Sequence, residues 1–246
     1  MHRFHACITD TGDDTVLLDE EDSRHALTVL RLKPADRVSI IQNGVLWDSE
    51  IVSVIEKNVR VRKIHPLPST EPLLHVTLFQ GLPKSDKMDW IVQKATEIGV
   101  SDIVPVEMIR SVSKLKNPEN HSKLDRWQRI VREASKQSGR CIIPKIHSPV
   151  SFRDLLGSFP LPDVCIVPWE EAASFGPLAF HESHPSLTDI GILIGPEGGI
   201  SPEEMELLES SGFIPVTLGR RILRTETAGL VAVSALLCLY GEMERK

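Results

Sequence analysis

The chain has 246 residues, of which 41% are hydrophobic and 25% charged, with a net charge of −6. This is the composition of a soluble globular protein with enough core for one large domain or two small ones, and repeats and low-complexity tracts are absent. No apolar run is long enough to cross a bilayer, and Met1-His-Arg-Phe-His-Ala-Cys-Ile8 lacks the apolar centre of a signal peptide, so a cytoplasmic protein with no membrane partner is expected.

Residues up to about 65 favour short strands with one helix among them. Arg37–Gln42, Val45–Val52 and Asn58–Ile64 are β-branched runs separated by turns at Asn43-Gly44 and Lys57-Asn58, and the last alternates strictly. Ala26, Leu27 and Leu30 have helical spacing between Glu20 and Leu32. A small β-barrel is expected over residues 1–70. The proline-rich stretch His65–Pro72 reads as a linker and puts the boundary there.

From residue 71 to 246 strands and helices alternate. Strands are expected at Leu74–Gln80, Ile103–Glu107, Cys141–Ile146, Val164–Val167, Ile190–Ile194 and Ile214–Leu218. Helices are expected at Asp86–Ile98, within Glu119–Ser138, near Phe152–Leu156, at Pro202–Ser210 and at the end of the chain. This order implies a mostly parallel sheet covered on both faces, with ligands at the carboxyl ends of its strands. Ala228–Tyr240 has no wide polar face, which favours burial against a second subunit.

Charge and cysteine usage narrow the partners. Residues 84–145 carry thirteen Lys and Arg against eight Asp and Glu, a local excess of +5, whereas residues 146–246 carry −8. A basic patch can bind a phosphate backbone within an acidic protein, because salt confines each field to about 10 Å. Cys7, Cys141, Cys165 and Cys238 lie far apart with no Cys-x-x-Cys pair, as reduced thiols do. His2, His5 and Cys7 have no companion cluster at zinc-site spacing, so no metal is expected.

Two loops carry the chemistry. Ile194-Gly-Pro-Glu-Gly-Gly199 joins a strand to a helix opened by Ser201-Pro202-Glu203-Glu204, a capping box with proline at its first position. Glycine-rich turns of this kind often hold phosphate, but two unit charges about 4 Å apart repel by roughly 4 kcal/mol at an effective dielectric near 20, so Glu197 opposes one. The spacing also misses the P-loop and the dinucleotide pattern. A cationic or ribose-bearing ligand without phosphates fits better. The second loop, Leu218-Gly-Arg-Arg-Ile-Leu-Arg-Thr225, follows the next strand and opens the last helix. Together they are expected to line one pocket.

These motifs closely resemble those of the RsmE family of small-subunit ribosomal RNA uridine-N3 methyltransferases, in the SPOUT superfamily. The resemblance runs over essentially the whole chain: Met1-His-Arg-Phe4, Ser23–Leu32, Lys84-Ser-Asp-Lys-Met-Asp89, Gln93-Lys94, Glu97-Ile-Gly99, Arg110-Ser111, Arg126-Trp127, Glu133-Ala134, Gln137–Arg140 and both loops. The family often has proline where Arg220 stands, which bears on the stiffness of that loop.

The resemblance implies an N-terminal PUA-like RNA-binding β-barrel and a C-terminal SPOUT-type knotted α/β domain with a mostly parallel sheet. That domain would bind S-adenosyl-L-methionine and form a homodimer through the knot, acting on 16S ribosomal RNA within the small subunit. Ile194, Gly195, Pro196, Glu197, Gly198, Gly199, Leu218, Gly219, Ile222, Leu223 and Thr225 would surround the cofactor, with Pro168 at a third stretch.

Methylation at uracil N3 requires loss of an imide proton and leaves charge on the ring oxygens, which suits an arginine at a helix N-terminus. Arg224 is the expected catalytic residue, unless a salt bridge to Glu226 or Glu197 occupies it. The base is open among Glu197, Glu226 and solvent. Arg3, His25, Arg31, Lys84, Lys87, Arg110 and Arg140 are expected to contact RNA. Two other activities remain: an RNA-binding factor without catalysis, and methylation of another atom or RNA, such as a transfer RNA ribose hydroxyl.

Overall fold

The computed structural model describes residues 2–5, 14–84, 86–112, 120–172 and 174–244; Cys7 and Ser85 lie outside them. The chain divides into two compact units: Met1–Glu71 with Ser135–Ile142, and Pro72–Ala134 with Ile143–Lys246.

The first unit contains β1 (Arg3–His5), β2 (Thr15–Leu17), α1 (Glu20–Arg24), which continues as a π-helical turn over His25–Val29, β3 (Arg37–Gln42), β4 (Val45–Ile55) and β5 (Asn58–Pro66). They form one sheet in the order β1-β3-β4-β5-β2, antiparallel except for the β1–β3 pair. Alternation decides its faces: Val59 and Val61 are fully buried while Arg60 and Arg62 are not. Phe4, Val16, Ile40, Ile51 and Val59 come from all five strands into one core, closed by Ala26 from the π-helical turn, as a barrel requires. The β4–β5 turn sits at Glu56-Lys57, both with positive φ, one residue before its expected place. β5 runs on through Pro66, into the expected linker.

The second unit contains β6 (His75–Gly81), α2 (Lys87–Ile98), β7 (Asp102–Glu107), α3 (Asn120–Ser138, whose last turn belongs to the first unit), β8 (Lys145–Ile146), β9 (Val150–Ser151) and α4 (Phe152–Gly157). It continues through β10 (Cys165–Pro168), α5 (Pro177–Ser183), β11 (Asp189–Ile194), α6 (Pro202–Ser210), β12 (Phe213–Val216) and α7 (Thr225–Leu239). The sheet order is β12-β10-β11-β6-β7-β8, with β9 also on β7, and every pairing is parallel.

Side chains along these strands separate into two layers. Leu78, Ile103, Ile166 and Ile192 join the core that contains α2 and α7, whereas Phe79, Val104, Val167 and Leu193 join the core that contains α4 and α6. Burial on both faces explains why the strands read as unbroken apolar runs. No helix among the described residues is long and apolar enough to cross a membrane.

One expected strand is corrected. Only Lys145–Ile146 of Cys141–Ile146 is strand. Cys141 instead packs with Ile41 and Leu46, and the backbone N–H groups of Cys141 and Ile142 donate to Glu71 at 2.7 and 3.2 Å. A carboxylate and a neighbouring core take the segment from the sheet.

Candidate active site

Parallel pairing sends the carboxyl ends of β10, β11 and β12 to one edge of the sheet. Three loops leave there: Trp169–Ala172, Gly195–Ser201 and Thr217–Arg224. β11 and β12 are consecutive among the strands but not adjacent in the sheet, since β10 lies between them. The middle loop therefore belongs to the site as fully as the other two.

The loops enclose two connected hollows of about 430 and 450 Å³, within the size range of small-molecule sites. Leu218 and Gly219 line the first; Ile194, Gly195, Pro196, Glu197, Gly198, Gly199, Arg224 and Thr225 line the second; Pro168, Ile222 and Leu223 border both. Every residue expected around a cofactor is thus at one crevice, with Arg224 beside it. Ile222 is 87% exposed. An aliphatic side chain so bare beside a cavity offers an apolar wall to a planar ligand.

Hydrogen bonds fix the crevice floor. Thr225 Oγ1 donates to the Gly195 carbonyl at 2.6 Å and accepts from Gln80 Nε2 at 2.9 Å, and the same nitrogen donates to the Gly81 carbonyl at 3.1 Å. One hydroxyl thereby joins the end of β6, the turn after β11 and the start of α7. Gly81 is needed there, since a Cβ would lie 2.6 Å from Pro196 N.

The far side of the glycine loop is held by the segment after β7. Arg110 Nη1 donates to the carbonyls of Gly198 at 2.9 Å and Ile200 at 3.4 Å. Contact is close enough that a Cβ on Gly198 would come within 2.9 Å of Arg110 Cβ. Glu204, 1% exposed, completes the capping box with Ser201 and also accepts from Ile109 N at 2.7 Å.

The charges at the mouth are ordered. Lys87 Nζ lies 3.2 Å from Glu197 and 3.1 Å from Glu226, and Glu197 also accepts from Lys84 N at 3.1 Å. Hydrogen bonding to Glu226 and then Glu197 raises the Lys87 pKa. Burial pushes both carboxylates up, but backbone N–H groups and the Lys87 ammonium outweigh it and leave each below its ordinary value. Arg224 is the N-cap of α7, and its exposed side chain makes no hydrogen bond or ion pair among the described residues. Lys87 bridges both acids, and Arg224 acts on Glu226 only through its field, which helps to lower the Glu226 pKa.

The residues expected to meet RNA are distributed differently. Lys84, Lys87 and Arg110 gather around the glycine loop. His25 and Arg31 are exposed in the first unit, where Arg3 Nη1 donates to the Gly139 carbonyl at 2.9 Å. Arg140 is a correction: it is 5% exposed and donates to Glu71 from Nε at 3.1 Å and Nη2 at 2.6 Å, so it braces the fold rather than facing RNA. Gln80 and Glu204 were not anticipated. The available signals were a glutamine at the end of an apolar strand and the acid of the capping box.

A parallel α/β sheet with a glycine-lined crevice at its carboxyl edge, in a chain whose other compact unit is a small β-barrel, has the architecture of an α/β enzyme that binds a small ligand at that edge. A family model described as an RNA methyltransferase domain matches residues 69–237, and one described as an RNA methyltransferase PUA domain matches residues 18–64. The ribosomal RNA small subunit methyltransferase E of Bacillus subtilis is 35% identical over 90% of this chain and 89% of its own. A crystal structure of ribosomal RNA small subunit methyltransferase E from Neisseria gonorrhoeae bound to S-adenosyl methionine superposes with a TM-score of 0.81, at 31% identity over 98% of each chain. A methyltransferase from Legionella pneumophila in complex with the same cofactor gives 0.78, at 28% identity over 96% of each chain. The chain belongs to the ribosomal RNA small subunit methyltransferase E family.

Proposed function

We propose that this protein transfers the methyl group of S-adenosyl-L-methionine to N3 of a uridine in 16S ribosomal RNA of the small subunit, in the cytoplasm. The observation that carries the reading is the three-loop crevice with an unpaired arginine beside it. Residues 1–70 serve as the RNA-binding domain and residues 71–246 as the methyltransferase domain. A homodimer, built through the knot that the family likeness implies, covers the outer side of α7, where Val231 and Cys238 are exposed.

The residues present fit the cofactor. Bare backbone at Gly195–Gly199 allows close approach, Ile222 and Leu223 offer an aliphatic wall for adenine, and the cations beside the glycine loop are engaged by the protein itself, Arg110 with the Gly198 and Ile200 carbonyls and Lys87 with Glu197 and Glu226. When bound, the cofactor supplies an electrophilic methyl group, whose bond to sulfur breaks, with the electron pair leaving on sulfur, as the bond to N3 forms. Arg224 faces the charge that develops on the uracil oxygens when the N3 proton leaves. Glu197 and Glu226 are weak bases, because Lys87 holds both as stable carboxylates. The imide proton therefore passes to solvent, and positioning of the two reactants supplies much of the acceleration.

The test is incubation with isotopically labelled cofactor and small subunits from an unmodified strain, followed by mass mapping of the RNA. Label on a uridine base at N3 is the expected result. Label on a ribose hydroxyl, or only on another RNA, overturns the reading.

A further inference from the structure

Apart from the crevice, a hollow of about 450 Å³ opens between α2 and α3. Trp90 and Gln93 project into it from one turn of α2, and Arg126, Arg129 and Ile130 from the facing side of α3. Trp90 is 44% exposed, although burying an indole is favourable. The helix around it is well anchored: Trp127 Nε1 donates to Asp89 at 3.0 Å, and Arg126 pairs with the same carboxylate. Arg129 is exposed, with no hydrogen bond or ion pair to its side chain among the described residues. The hollow thus combines a free aromatic face, a free guanidinium and an amide.

Its place narrows the ligand. Lys87, which lines the reaction compartment, precedes Trp90 by three residues on α2, a rise of about 4.5 Å. One helix therefore carries a residue of each site. The apolar surface is confined to Trp90 and Ile130, too little for a protein interface, and the segment around it carries the chain's basic excess. Stacking on an aromatic side chain with a cation on the phosphate is how proteins hold unpaired nucleotides.

We propose that the hollow between α2 and α3 is a subsite for one unpaired RNA nucleotide flanking the methylated base, its ring stacked on Trp90 and its phosphate on Arg129. This rests on the reading of the protein as an RNA methyltransferase. Gln93 meets the base edge. Arg126, held by Asp89, forms the floor.

The test uses the full chain and a fluorescently labelled single-stranded fragment of 16S RNA, with cofactor affinity measured in parallel by calorimetry. Trp90→Ala is expected to weaken RNA binding about tenfold, within the range for loss of one stacked base, while Trp90→Phe keeps most of it. Arg129→Ala weakens binding and lowers the salt slope by about one contact. Cofactor affinity and oligomeric mass stay as in the wild type. Unchanged RNA affinity in Trp90→Ala, with wild-type binding intact, overturns the subsite alone. Halving of the mass in Trp90→Ala overturns it in favour of a subunit contact. Wild-type protein that binds no RNA overturns the functional reading and the subsite with it.

Discussion

Arg224 and Arg110 show how differently two arginines at one loop cluster are used. Arg224 forms no salt bridge among the described residues, where Lys87 bridges Glu197 and Glu226, and it reaches Glu226 only through its field. Arg224→Ala should bind cofactor normally and lose about 100-fold in kcat, the scale of one missing oxyanion donor; equal turnover in single-turnover assays would remove it from the mechanism. Arg110 is already bonded to the carbonyls of Gly198 and Ile200. Arg110→Ala should therefore raise the cofactor Kd about tenfold, since its hydrogen bonds are charge-assisted, with little change in the salt dependence of RNA binding. The sequence marks Arg224 as a candidate, because a helix N-terminus is a local feature. It misplaced Arg140, because only the folded chain brings Glu71 to it.

The loops and the last helix are the elements that make the site. Strand and helix alternation was readable because the central strands β6, β7, β10 and β11 are buried on both faces, and the capping box marked the start of α6. The short β9 and α5 carried too little periodic signal, and Cys141 shows a β-like run broken where its first side chain joins another core while Ile142 and Ile143 stay exposed. The threading implied by the family has no periodic signature at all. α7 buries Gly229, Ala232, Val233, Leu236 and Leu237 within its own unit and leaves Val231 38% exposed. Val231→Glu would place a charge in the proposed subunit contact without disturbing that inner face. Light scattering should then report a monomer; an unchanged dimer would place the contact elsewhere.

The whole molecule is also braced at the edge of the sheet opposite the crevice. Asp102 contacts His147 Nε2 at 2.6 Å and His75 Nε2 at 3.1 Å, and His75 Nδ1 lies 3.0 Å from Asp189. Burial raises the Asp102 pKa, but the hydrogen bond from His147 and the fields of His147, His75 and Lys145 outweigh it, so the folded value is depressed. A depressed carboxyl contributes stability above its unfolded pKa, and that contribution is lost as pH falls through the folded one. Asp102→Asn should thus lower Tm at neutral pH, and the gap to wild type should close in the acid carboxylate range. A gap that stayed constant across pH would exclude the charge as its cause. This brace and the crevice lie at opposite ends of the same parallel strands, so the stabilising and reactive ends of the sheet can be altered separately.

Crystals grown with S-adenosyl-L-methionine test the central claim most directly. Density for the nucleoside should lie between Gly195–Gly199 and Leu218–Leu223, with the methyl group directed toward Arg224. Density confined to any other part of the chain, or a fully ordered crevice without it at saturating cofactor, would contradict the account.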